Sequence, residues 1–378
     1  MILEGVIMDV LKYFPEGIAK GEAFINREKE RAYLINRIKS NKHTIIIAPR
    51  RYGKTSLVIK VSEEMKTPYC SIDLLAAFSE EYVRDQLLDK VGRLVFDIMP
   101  KLKKAKEKLI SIFKRMNPEI SLGVLGQRLT LSLTTNAIKD ITELLLKLDE
   151  TAKHFNKQAI IFIDEFQQIS KLKNYHSIEA AIRHAVERSE RIVYVFSGSN
   201  RNLLQQMFGE QGRPLYRLCQ SISLDRISKD IYREHLQQLS KRQWGKNMSM
   251  EVMEHIFNNT ELHPFYMNVL CQILWNENHI PSAETIDMKW HDYVKTQRNM
   301  ISHDLMELST NQRKVIVALA KCSVKEVQSS EFTSSLKISA SSTQQAIDVL
   351  TRKDLVYQNQ AGFYQVLDPA ITHYLNTV

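Results

Sequence analysis

Residues 43–56, HTIIIAPRRYGKTS, constrain the fold more than any other stretch of the chain. The β-branched run Thr44-Ile45-Ile46-Ile47 predicts a short buried strand. Turn-forming residues follow, Ala48 to Gly53, and then Leu57, Val58, Val61 and Met65 recur on one face of a helix. Strand, tight loop and helix in that order make a phosphate-binding loop, because backbone N–H groups and the helix N-terminus offer partial positive charge to an anion. The pattern G-x-x-x-x-G-K-[ST] is met except at its first position, where Ala48 stands. Alanine fits there if its φ stays negative, while Gly53 is retained where the backbone must pass close to phosphate. On this reading Lys54 reaches the outer phosphates of ATP and the Thr55 hydroxyl ligates Mg²⁺. Pro49, Arg50, Arg51, Tyr52, Gly53 and Ser56 complete the candidate nucleotide contacts. The competing account is an ordinary strand–turn–helix unit with an accidental GKT.

A second stretch weighs against accident. Residues 159–165, AIIFIDE, run from four consecutive apolar side chains after Ala159 into two adjacent carboxylates. That pattern predicts a parallel strand buried on both faces, with acids at its C-terminal end. Ligands in open α/β sheets bind at that end of the strands. Asp164 is therefore a candidate for holding Mg²⁺, and Glu165 a candidate general base for the water that attacks the γ-phosphate. A further strand over 192–196 ends in Ser197-Gly198-Ser199-Asn200. Ser199 either reaches the γ-phosphate or the attacking water, or belongs to a capping loop; the local residues leave both open. Gly198-Ser199 does not complete a G-x-S-x-G elbow, which excludes hydrolase-type serine chemistry.

Further strands are expected over 68–73 and 221–224, with helices opening near Phe24 and over 79–116, and a hairpin within 117–135. Asn26 is the expected N-cap of the first helix. Residues 225 to about 300 read as helices only. After 305, helices over 310–321, 331–336 and 341–353 precede two short strands flanking Asn359-Gln360-Ala361-Gly362, the signature of a winged helix. The fold class expected is α/β: a P-loop NTPase core with a parallel sheet over 1–225, an all-helical lid over 226–302 and a winged-helix domain over 303–378.

Composition narrows the partners. No apolar run approaches the roughly 18 residues of a membrane span, and the first residues, MILEGVIMDV, lack the basic leader of a signal peptide. The four cysteines form no C-x-x-C pair, which argues against zinc and disulfides and for a reducing, cytoplasmic location. The net charge of +9 is uneven. Residues 101–115 hold seven basic side chains and one acid, whereas 301–378 hold seven of each. DNA binding leans on phosphate neutralisation, so the C-terminal part gives it no electrostatic footing, and the 101–115 stretch is the better candidate. Whether the winged helix takes DNA or a protein stays open.

With these motifs in place the chain resembles the archaeal-type ATPases of the AAA+/STAND branch of P-loop NTPases over nearly its whole length. The resemblance rests on Phe24-x-x-Arg27-Glu28-x-Glu30, on Pro49 through Leu57, on Asp164-Glu165-Phe166-Gln167 and on Ser197-Gly198-Ser199. Pro214-Leu215-Tyr216, His263-Pro264-Phe265-Tyr266 and Asp368-Pro369 complete it. It implies that Phe24 and Arg27 lie near the adenine and that Pro264 contacts the nucleotide from the other side. It also implies an arginine past the fourth core strand acting in trans within a homo-oligomer, for which Arg213 and Arg217 are the candidates. The family usually has Gly-Arg after Leu-Tyr, where this chain has Arg217 directly. The activity implied is slow ATP hydrolysis driving a conformational switch; the alternative is an ATP-regulated DNA-binding protein with little intrinsic hydrolysis.

Overall fold

The computed structural model describes residues 9–100, 122–125, 128–131, 136–359 and 361–377. The basic stretch 101–115 lies outside them. The chain divides into two compact units, one comprising Arg27–Arg50 and Lys54–Leu224, the other Met1–Asn26, Arg51–Gly53 and Asp225–Val378. They are called the sheet unit and the helical unit below.

The sheet unit is built on strands β1 (Thr44–Ile47), β2 (Tyr69–Asp73), β3 (Leu122–Leu125), β4 (Arg128–Leu131), β5 (Ala159–Asp164), β6 (Ile192–Gly198) and β7 (Gln220–Ser223). Five of them form one sheet in the order β2-β5-β6-β1-β7. Every neighbouring pair in it is parallel. β3 and β4 pair antiparallel as a separate hairpin. Each parallel connection carries a helix: Lys54–Met65, Glu80–Ile98, Ala137–His154, Tyr175–Arg188 and Arg201–Gly209. The apolar run of β5 is at most 1% exposed from Ala159 to Ile163, as a central strand covered on both faces requires.

Local polar chemistry sets where these elements begin. Ser79, Asn136 and Asn200 each accept a hydrogen bond from the N–H three residues on, at 3.2, 3.0 and 3.0 Å, and so cap the helices that follow. Buried Asp149 fixes the entry to β6. One of its oxygens accepts from the Ser189 hydroxyl and from the N–H groups of Glu190, Arg191 and Ile192, at 2.8–3.1 Å.

Three sequence expectations need correction. The helix after Phe24 starts at Glu28, and its N-cap is Arg27 in left-handed backbone (φ 67°), not Asn26. Asn26 is itself left-handed (φ 59°), so the chain turns twice before the helix begins. The helix expected over 79–116 is described only as Glu80–Ile98, closed by extended backbone at Met99. A C-terminal helix, Pro369–Thr377, follows the wing where no element was expected.

In the helical unit five helices run from Lys229 to Met306, packed around Trp275 and Trp290, both fully buried. Helices Thr310–Lys321, Ser330–Leu336 and Ala340–Arg352 then precede strands β8 (Val356–Gln358) and β9 (Tyr364–Val366), which pair antiparallel. Ser309 and Gln312 form a reciprocal capping box at the first of these helices. Gly362 takes φ 87° in the turn between the two strands. Phe14 packs 4.9 Å from Trp275 within the same unit.

Candidate functional site

The site grows from the order of the strands. β6 lies between β1 and β5, so its C-terminal residues stand beside both the loop that leaves β1 and the acids that end β5. Ile47 is in register with Gly198, and Ile163 with Phe196. Three sequence-distant polar segments therefore meet at one end of the sheet, the crevice where open α/β sheets bind ligands.

In the loop, positive φ falls on Arg51 (64°) and Gly53 (84°), not on Ala48. Alanine is thus compatible with the first pattern position, and the second needs glycine for its backbone alone. Helix Lys54–Met65 begins directly after it. The buried Lys54 ammonium donates to the carbonyls of Ala48 (3.2 Å) and Pro49 (3.1 Å). The Thr55 hydroxyl donates to Asp164 Oδ2 at 2.8 Å, and the Ser197 hydroxyl donates to Asp164 Oδ1. Pro49 and Ser56 are buried, while Arg50 is exposed.

Glu165 adopts left-handed backbone (φ 50°), rare for a residue other than glycine, and opens the 3-10 turn Phe166–Lys171. Its Oε2 accepts from the Ser199 hydroxyl at 2.8 Å and from the Gln167 amide at 2.5 Å. Lys54, Thr55, Asp164, Glu165 and Ser199 are thus brought to the end of one sheet. Ser197 and Gln167 were assigned no role from the sequence. Their part depends on which strands are neighbours and on how the chain turns after β5, and neither periodicity nor composition carries that information.

The remaining candidates have partners of their own. Arg213 pairs with the buried Glu179 and lies 4.8 Å over the Tyr175 ring. Burial pushes the Glu179 carboxyl up from its ordinary range, with Arg213 opposing it. Arg217 is exposed, in left-handed backbone (φ 55°), and lies 5.0 Å over the ring of Tyr216. Arg27 is buried and pairs with Glu30 at 3.1 Å in the sheet unit, whereas Phe24 groups with the helical unit.

The loop tip Arg51–Gly53 also groups with the helical unit. There the Arg51 guanidinium lies 3.9 Å over the Phe265 ring, and the Tyr52 ring meets His263 edge-on at 4.9 Å. Arg226, which the sequence reading did not single out, donates to the Tyr52 hydroxyl (3.4 Å) and to the Glu261 carbonyl (2.7 Å) and carboxylate (2.8 Å). Pro264 is the first residue of helix Pro264–Leu274, and His263 caps it by accepting from Phe265 N–H. Burial, with Arg226 and Arg51 nearby, pushes the His263 imidazole down to about 3.

Among the described residues no group of three or more His, Cys, Asp or Glu side chains could hold a metal ion. The hydroxyl–carboxylate pair of Thr55 and Asp164 instead suits Mg²⁺, a hard ion that takes one or two protein oxygens and fills its remaining positions with phosphate and water. Likewise, among the described residues no helix is long and apolar enough to cross a membrane.

A five-stranded parallel sheet with this loop at its C-terminal end is the fold of P-loop ATPases, here with a winged helix at the C-terminus. Residues 301–377 match the family model described as a probable winged helix domain. The solved structure of a Walker-type ATPase of Pyrococcus abyssi is similar over 95% of this chain and 98% of that one, with TM-score 0.68 and 18% identity. The ORC2 protein of Aeropyrum pernix, solved as ADPNP-ADP complexes, is similar over 94% of each chain, with TM-score 0.52 and 11% identity. At these identities what is shared is the fold. No curated protein matches the sequence.

Proposed function

We propose that the chain binds ATP with Mg²⁺ and hydrolyses it slowly, and that nucleotide state sets what its C-terminal part can bind. The observation that carries this reading is the 2.8 Å contact from Thr55 to Asp164, with Glu165 next in the chain and buried Lys54 at the start of the loop's helix. The loop's N–H groups and the Lys54 ammonium take up the negative charge of the phosphates. Thr55 and Asp164 are the residues that would hold Mg²⁺, which when bound neutralises charge on the phosphate oxygens. Glu165 accepts a proton from water as that water's oxygen forms a bond to the γ-phosphorus. The bond from that phosphorus to the β–γ bridging oxygen breaks, and ADP leaves with the electron pair. Ser199, through its bond to Glu165, orients the base.

In this reading 226–302 is the lid and 303–378 the winged helix. Phe24 and Arg27 are the proposed neighbours of the adenine, and Pro264 the proposed contact to the nucleotide from the other side. The balanced charge of 301–378 gives DNA no electrostatic advantage over a protein partner. Glu165→Gln tests the chemistry: turnover should fall by roughly 100-fold or more, as for loss of a general base, with ATP affinity retained. Unchanged turnover would sink the assignment.

A further inference from the structure

We propose that Gln167 is a positioning residue for Glu165: its amide, admitted by the bare Cα of Gly198, holds the carboxylate in place for proton transfer. This rests on Glu165 acting as the base.

The geometry starts with the backbone. The left-handed turn at Glu165 sends the chain into Phe166–Lys171, which carries Gln167 back beside the carboxylate two residues before it. That turn is anchored on both sides of Gln167. Phe166 is fully buried, 4.7 Å from the ring of Phe196 and 5.7 Å from that of Phe208. The Ser170 hydroxyl donates to the Gln167 carbonyl at 2.7 Å. The Gln167 side chain, 2% exposed, is therefore confined to one place.

There its Nε2 donates to Glu165 Oε2 at 2.5 Å and lies 3.5 Å from the Ser199 hydroxyl, which itself donates to the same Oε2 at 2.8 Å. Donor assignment follows from the network, since the flipped amide would set oxygen against oxygen. Hydrogen bonds to an ionised carboxylate are stronger than neutral ones, so two donors on one oxygen fix its rotation. Both go to Oε2, which makes Oε1 the oxygen that takes the proton.

Gly198 leaves the space for this. A Cβ there would stand 1.8 Å from Gln167 Oε1 and 2.9 Å from its Cδ, so any side chain would evict the amide. Glycine at the buried end of a strand weakens the strand unless something needs to approach closely. Here that approach is the amide's.

The test is steady-state ATP turnover of the full chain, with Glu165→Gln measured alongside. Gln167→Met, similar in size and without a donor, should lower kcat roughly 10-fold while KM for ATP stays within about two-fold, as for a misplaced catalytic group. Gln167→Glu keeps the shape but replaces the donor amide with a second carboxylate, which repels the first instead of holding it. Its kcat should fall at least as far as that of Gln167→Met while KM for ATP again stays within about two-fold, a split that a general packing defect of the site would not give. Gly198→Ala should act like Gln167→Met, yet cost much less in a Gln167→Ala background, where only the end of the Leu204 side chain, 3.0 Å from the new Cβ, stays close.

Wild-type kcat in both Gln167→Met and Gln167→Glu overturns the proposal. So does an equal cost of Gly198→Ala in both backgrounds. If Glu165→Gln is inactive while the Gln167 variants are normal, only this inference falls. If Glu165→Gln turns over normally, or the wild type has no turnover, the base assignment falls as well.

Discussion

Two residues of the loop after β1 show how one pattern position can be relaxed and another not. Ala48 is fully buried and lies outside the left-handed region, so its methyl group sits where L side chains are allowed. Gly53 has no heavy atom within 4 Å of a would-be Cβ, but its φ is +84°. Space is available there and conformation is not. Ala48→Gly should therefore leave ATP affinity within about two-fold, at a stability cost of roughly 0.5–1 kcal/mol from added backbone freedom. Gly53→Ala should weaken binding about 10-fold, since a left-handed alanine costs roughly 1–2 kcal/mol. Nucleotide titration by calorimetry reads both; a large gain in affinity from Ala48→Gly would contradict this account of the loop. At this scale the sequence was most informative. Lys54, Thr55, Asp164 and Glu165 were legible because each follows directly on a strand or loop whose type could be read. Gln167 and Ser197 were not, since their roles come from a turn and from strand order.

Elements were legible wherever burial on both faces produced a continuous apolar run, as in β1 and β5. Their order in the sheet was not, because nothing local states that β6 lies between them. Part of what places β6 is Asp149, an acid in a helix whose oxygen collects four donors across the turn before that strand. The helix Pro369–Thr377 has a local start signal but no apolar periodicity long enough to announce it. Asp368 accepts from Ala370 N–H at 2.8 Å, and proline suits the first helical position. His43, just before β1, shows how strands are tied together and gives a stability prediction. Its Nδ1 accepts from Tyr194 N–H and its Nε2 donates to the Val186 carbonyl, each at 3.1 Å, which defines a neutral ring. Burial pushes the imidazole down from 6.5 to about 4. The unfolded chain therefore takes up its proton first. The contribution is fully present above about pH 6.5 and is lost as pH falls through about 4, on the order of 2–3 kcal/mol. His235 and His263 of the helical unit are depressed in the same direction. Chemical denaturation between pH 7 and 4.5 should show stability falling with acid, and the slope should be shallower in His43→Gln. An equal slope in the two proteins would show that His43 is not a source of the loss.

At the scale of the whole molecule, the change from alternating strands and helices to helices alone was visible near residue 225, and the helical unit resumes there. That residues 9–26 and the loop tip group with that unit was not visible. Such grouping depends on contacts such as Phe14 with Trp275 and Tyr52 with His263, pairs far apart in sequence that no local pattern links. The charge distribution was readable from residues alone, and it places no excess of positive charge on 301–378. The central claim is that the residues gathered at the end of the sheet form an Mg²⁺-dependent ATP-hydrolysing site. Its most direct test is phosphate release from ATP by the purified full chain, with and without Mg²⁺, beside Lys54→Met. The account predicts slow release that requires Mg²⁺ and disappears in Lys54→Met. Release that is equal in the two proteins, or absent from the wild type with Mg²⁺ present, would contradict it.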